Sequence, residues 1–164
     1  MSSVISTKAA RTDEMTKAIV FYDSRYGNTE TVARAIMEGM KKGGIEDVLL
    51  ASMKTADEED FRGRDLWVIG SPTHWGSATF RLKTLLVNAM KDEGKDKRAA
   101  VFDTRYKGMS RGASGKISSL LETYGIPLVT EPMAFYVESG GSSLASGEAE
   151  KAQAYGAEIA GRSR

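Results

Sequence analysis

From Lys17 onward, short apolar runs alternate with stretches in which apolar positions recur every three or four residues. Ala18-Ile19-Val20-Phe21-Tyr22 is uninterrupted and rich in β-formers, the pattern of a strand buried on both faces. After a Gly-containing turn, Val32, Ala33, Ile36, Met37 and Met40 define one stripe of a helix that Gly43-Gly44 ends. Asp47 to Ala51 reads as a second strand, and the acidic stretch from Thr55 to Asp60 as a short helix or a loop. Leu66 to Gly70 is the third strand, and Ala78, Leu82, Leu85, Leu86 and Ala89 mark the inward face of the helix after it. Arg98 to Phe102 is the fourth strand. A long polar loop then leads to a helix carrying Ile117, Leu120, Leu121 and Tyr124. Pro127–Val129 and Met133–Val137 supply the fifth strand, with Pro132 marking an irregularity. The last helix is expected from about Ser146 to Ala160, with Ala149, Ala152, Tyr155 and Ile159 on one side.

Strands alternating with helices predict the α/β class: a doubly wound, five-stranded parallel sheet joined by right-handed crossovers, in three α/β/α layers. The 164 residues suit one domain, and no internal repeat or linker divides them. Residues 1–15 read as a flexible tail or an over-long translation start, and 16–164 as the domain. Lys plus Arg is 23 and Asp plus Glu is 22, so no large basic field exists for nucleic acid. Without cysteine, disulfides, thiolate clusters and cysteine nucleophiles are excluded, and the one histidine, His74, rules out a multi-histidine metal site. No apolar run approaches the roughly 20 residues that span a bilayer, and the N-terminus lacks the apolar core of a secretory signal. The expectation is a cytoplasmic protein with no membrane insertion.

In an open parallel sheet, ligands bind beyond the C-terminal ends of the strands. After strand one, Asp23-Ser24-Arg25-Tyr26-Gly27-Asn28-Thr29 opens directly into a helix. Hydroxyls, an amide and a glycine there suit an anion, because unpaired N–H groups and the helix dipole point to that spot; an ordinary capped turn is the competing reading. After strand three, Ser71-Pro72-Thr73-His74-Trp75-Gly76 places a large aromatic at the same edge, either stacking on a ligand or capping the core. After strand four, Asp103-Thr104-Arg105-Tyr106 adds a second aromatic. Two aromatics beside an anion cradle suit a flat ring that carries a phosphate.

These three loops, in this order after these strands, resemble the flavodoxin family over about residues 17–162. The resemblance implies strand order 2-1-3-4-5, of which flavodoxins are themselves a standard example, and an FMN cofactor at the switch point between strands one and three. It implies that Ser24, Arg25, Tyr26, Gly27, Asn28 and Thr29 hold the FMN phosphate. Ser71, Pro72, Thr73 and His74 would pass along the ribityl chain and ring edge, and Trp75 would stack on the inner face of the ring. Gly76 falls where the family uses a peptide flip towards the reduced flavin. Asp103, Thr104 and Arg105 would meet the pyrimidine end, and Tyr106 is the candidate outer stacking ring.

The function implied is low-potential electron transfer between redox proteins that dock at the flavin edge, by a monomer, with a dimer left open. The alternative is an FMN-dependent NAD(P)H or quinone oxidoreductase on the same fold, and a third reading is a flavin-free binding module. The chain departs from the acidic balance typical of flavodoxins, and Arg25, Arg105, Lys107 and Arg111 lie in or beside the cofactor loops. Gly108-Met109-Ser110-Arg111-Gly112 mimics a hydrolase nucleophile elbow, but no histidine follows Ser110 as that order requires. Gly115-Lys116 lacks the remaining phosphate-loop positions. A phospho-acceptor receiver needs Asp where Ser71-Pro72 stands, and His74 has no partners for a catalytic triad.

Overall fold

The computed structural model describes residues 15–74, 76–140 and 142–163. Strands β1 (Lys17–Tyr22), β2 (Asp47–Ser52), β3 (Leu66–Pro72), β4 (Arg98–Tyr106) and β5 (Met133–Val137) form one parallel sheet in the order β2-β1-β3-β4-β5. Helices α1 (Asn28–Lys42) and α4 (Glu148–Arg162) cover one face, and α2 (Phe80–Glu93) and α3 (Ala113–Thr123) the other. This is the predicted three-layer, doubly wound architecture. Of the expected tail, residues 1–14 lie outside the described residues.

Successive strand side chains point to opposite faces, so each apolar run feeds two cores at once. Ala18, Val20 and Tyr22 join Val32, Ile36, Tyr155 and Ile159 under α1 and α4. Ile19 and Phe21 join Trp67, Leu82, Leu86, Ile117 and Leu121 under α2 and α3. The acidic stretch resolves as a 3-10 turn, Glu58–Phe61, whose N-cap Asp57 and third residue Asp60 form a reciprocal capping box. The turn delivers Phe61 edge-on to Phe21 and Trp67, with ring centres 5.2 and 4.7 Å apart. Helices α1 and α4 cross where Gly39 and Gly156 each meet backbone of the other helix, leaving no room for a Cβ.

Four sequence expectations change. The fourth strand continues past Phe102 to Tyr106, because β5 pairs with its far half, Phe102↔Met133 through Tyr106↔Val137. Asp103, Thr104, Arg105 and Tyr106 are therefore strand residues, not a loop. Pro127–Val129 stands apart from β5, touching the start of β4 through the Ala99↔Leu128 bridge. Tyr124 lies exposed at the C-cap of α3, and Ala149 is exposed on α4, so neither joins the core.

Candidate functional site

The C-terminal ends of the strands enclose one side of a cleft of about 800 Å³. Its wall begins with the turn between β1 and α1. Asp23 N–H donates to Gly70 O at 3.1 Å, prolonging the β1–β3 ladder by one residue. The buried Ser24 then bends the chain: its Oγ accepts from Gly27 N–H at 3.1 Å and from Glu30 N–H at 3.2 Å. Gly27, the N-cap of α1, sits at φ 95°, a left-handed backbone that any side chain would strain. Arg25, Tyr26, Asn28 and Thr29 line the cleft. Thr29 and Thr104 lie 2.8 Å apart through their Oγ1 atoms, so a pair of buried hydroxyls joins α1 to β4 at the cleft.

The β3 side is fixed by small polar contacts. Ser71 is buried; its Oγ donates to Pro72 O at 2.8 Å and lies 3.4 Å from Thr79 N–H. Thr73 N–H donates to Thr104 O at 2.9 Å, and Thr73 Oγ1 accepts from Ala113 N–H at 3.1 Å. His74 and Ser77 exchange both backbone hydrogen bonds, at 2.7 and 2.9 Å, closing a tight turn in which Gly76 has φ 74°. Trp75, the expected inner stacking ring, lies outside the described residues. Thr79 Oγ1 donates to Asp23 Oδ2 at 2.6 Å and so ties the start of α2 to the β1 turn.

Of the residues singled out from sequence, the cleft gathers Ser24, Arg25, Tyr26, Asn28, Thr29, Pro72, Thr73, His74, Thr104, Arg105 and Tyr106. Gly27, Ser71 and Gly76 shape its turns without lining it. Asp103 departs from the expectation. It is 0% exposed and belongs to no wall of the cleft. Its Oδ1 accepts from Arg105 Nε at 2.8 Å, and its Oδ2 from Arg105 Nη2 at 2.7 Å and from Ser114 N–H at 2.9 Å in the first turn of α3. A carboxylate at a helix N-terminus satisfies an otherwise unpaired donor and complements the dipole. Asp103 is thus an anchor for α3, and its hydrogen bonds to Arg105 push that guanidinium above its ordinary value.

Sequence reasoning missed Asp23, Met53, Lys54, Ala78, Thr79, Phe80, Arg81, Lys83 and Val137, which also line the cleft. Met53 and Lys54 follow β2, which lies beside β1 in the sheet, so the 2-1-3 order itself was the available signal. Among the described residues no cluster of acidic or histidine side chains could hold a metal ion, and no helix is long and apolar enough to cross a membrane.

Similar proteins point the same way. A diflavin flavoprotein (A 5) of Nostoc sp. strain PCC 7120 is 35% identical over 120 residues, 71% of this chain and 20% of that protein. A flavodoxin of Aquifex aeolicus is 32% identical over 78 residues, 48% of this chain and 42% of its own length. The chain thus spans only about a fifth of the diflavin relative it matches. A solved flavodoxin from the domain Archaea superimposes on 90% of this chain and 98% of its own with a TM-score of 0.77 at 20% identity, a likeness of fold. The family model for flavodoxin matches residues 20–154, most of the sequence, and the chain belongs to the flavodoxin family.

Proposed function

We propose that the cleft holds FMN, with the phosphate at the β1–α1 turn and the ring towards Tyr106, and that the protein passes electrons between redox proteins at low potential. Proteins of the flavodoxin family bind FMN. The observation that carries the assignment is the turn from Ser24 to Thr29. The buried Ser24 hydroxyl accepts from Gly27 N–H within the turn and from Glu30 N–H just beyond it, a left-handed glycine starts the helix, and the whole opens into the cleft. The donor set suits the group: Ser24, Arg25, Asn28 and Thr29 line the space, with hydroxyl, guanidinium and amide side chains. Among the described residues the one lining carboxylate, Asp23, already accepts from Thr79.

FMN supplies the electron-accepting chemistry, and the protein's residues hold, orient and shield it. Ser24 keeps the turn in register and retains its own hydroxyl proton for a phosphate oxygen. A phosphate there gains charge-assisted hydrogen bonds worth about 1.5–3 kcal/mol each. Thr73, Thr104 and Tyr106 present polar and aromatic groups along the rest of the cleft. Arg25, Tyr26, Gly27, Asn28 and Thr29 would complete the phosphate loop, with Pro72, His74 and Gly76 shaping the ring side.

The test is a redox titration of the purified protein loaded with FMN. The carrier reading predicts full reduction by dithionite and no steady oxidation of NADPH by the protein alone. Sustained NADPH oxidation, with or without added quinone, would overturn it in favour of an FMN-dependent oxidoreductase.

A further inference from the structure

We propose that the rim of the cleft beyond β2, β1 and β3 is a docking surface for an acidic protein partner, an inference that rests on the electron-transfer reading and gives the partner its chemistry. The chain as a whole is almost neutral, yet among the described residues five cations line this cleft, Arg25, Lys54, Arg81, Lys83 and Arg105, against the single carboxylate of Asp23. Arg105 adds little, because Asp103 neutralises it. Elsewhere several cations are held by carboxylates: Arg64 holds Asp47 at 2.6 Å, Arg62 holds Glu59 and Glu93 at 3.1 and 3.2 Å, and Lys151 holds Glu148 at 3.0 Å. Among the described residues no carboxylate lies within salt-bridge distance of Arg25, Lys54, Arg81 or Lys83. Lys83 Nζ donates to the Ser77 hydroxyl at 3.3 Å. With Arg105 neutralised by Asp103 and Arg25 assigned to the FMN phosphate, Lys54, Arg81 and Lys83 remain as a local set of cations with no carboxylate partner among the described residues.

Two exposed aromatics stand in the same rim. Phe80, the first residue of α2, is 78% exposed, and Tyr26 is 77% exposed. Neither is out of water for the sake of the core, whose α2 stripe runs through Leu82, Leu85, Leu86 and Ala89. Aromatic and arginine side chains are the types enriched at protein interfaces, and a charge excess around them steers encounter with a partner of opposite sign. A second small anion, beside the phosphate assigned to the β1–α1 turn, fits this arrangement less well. The cations come from the β1–α1 turn, the segment after β2 and the first turn of α2, on long side chains. Because the patch borders the proposed flavin site, a partner seated there would lie at the redox group.

The experiment maps contacts on the 15N-labelled protein with FMN added, using two haem proteins of opposite charge as probes: the acidic soluble domain of cytochrome b5 and basic cytochrome c. At low ionic strength cytochrome b5 should shift the amides of residues 25–26, 54 and 80–83. Raising salt to about 0.5 M should weaken binding at least about tenfold, since the Debye length falls to a few ångströms. Lys54→Glu with Arg81→Glu should weaken it by a similar factor, whereas the control Lys91→Glu, in the last turn of α2, should not. Shifts on another face, equal binding of cytochrome c to this one, or full displacement of cytochrome b5 by micromolar pyrophosphate would each overturn the proposal. Flavin fluorescence in the same sample reports FMN binding separately, so failure of docking and failure of the FMN reading leave different records.

Discussion

Arg105 grips Asp103 through two parallel contacts, Nε to Oδ1 at 2.8 Å and Nη2 to Oδ2 at 2.7 Å, two positions apart on one strand. Side chains at i and i+2 share a face of a strand, so the pair folds back along β4. The family resemblance puts Arg105 at the pyrimidine end of the flavin, as one of the cations in the cofactor loops. Paired with a wholly buried carboxylate, it is instead half of a neutral unit that also holds α3 through Ser114 N–H.

Arg105→Gln should therefore act on stability. Removing one partner of a buried pair leaves an uncompensated charge and costs about 3–5 kcal/mol. Urea unfolding of the protein without FMN is the measurement, and a loss below about 1 kcal/mol would show that Asp103 finds another partner.

Gly39→Ala tests the crossing of α1 and α4. On propensity alone the change should stabilise the helix by about 1 kcal/mol. A Cβ at this position, however, would run into the backbone carbonyl of Gln153, which cannot rotate away. Overpacking of this kind costs about 1–3 kcal/mol and has to win here. A raised melting temperature would contradict the packing described.

Tyr155 gives the alkaline limit. Its hydroxyl lies 2.9 Å from Glu131 O and 3.1 Å from Val101 O, and burial pushes it well above the ordinary tyrosine value of 10.0. A folded-state value raised above the unfolded one means stability that is fully present below pH 10.0 and lost as pH climbs towards the folded value. Tyr155→Phe should cost about 1–3 kcal/mol at neutral pH, through carbonyls left without their donor. The gap to the parent should narrow above pH 10.0, where the parent alone carries this penalty. Parallel unfolding curves from pH 7 to 11 would refute the assignment if the gap stayed constant.

Ser24→Ala removes the acceptor shared by Gly27 and Glu30 N–H. Losing a capping side chain costs about 1 kcal/mol. Since that turn is also assigned the phosphate, FMN affinity should fall about tenfold, worth about 1.4 kcal/mol, while riboflavin affinity stays nearly constant. An equal fall for both would place the phosphate elsewhere.

Most of the fold was legible because strands buried on both faces read as unbroken apolar runs, as Ala18–Tyr22 does. The far half of β4 was not. Asp103, Thr104 and Arg105 are polar, and only the pairing with β5 and the side-chain partners Ser114 and Thr29 make a strand of them. The phosphate-loop candidates could be placed because a strand, a turn and a helix follow one another locally. Lys54 and Arg81 could not, since their place beside that turn depends on sheet order. Phe80 did leave a trace: it falls outside the Leu82–Leu85–Leu86–Ala89 stripe, an apolar residue with no core to enter.

The central claim, that the turn from Ser24 to Thr29 grips a flavin phosphate, is tested most directly by fluorescence titration of the protein with FMN and, separately, with riboflavin. The account predicts one FMN per chain, bound at least about tenfold more tightly than riboflavin, because charge-assisted contacts are lost with the phosphate. Equal affinity for the two, or no quenching by either, would contradict it.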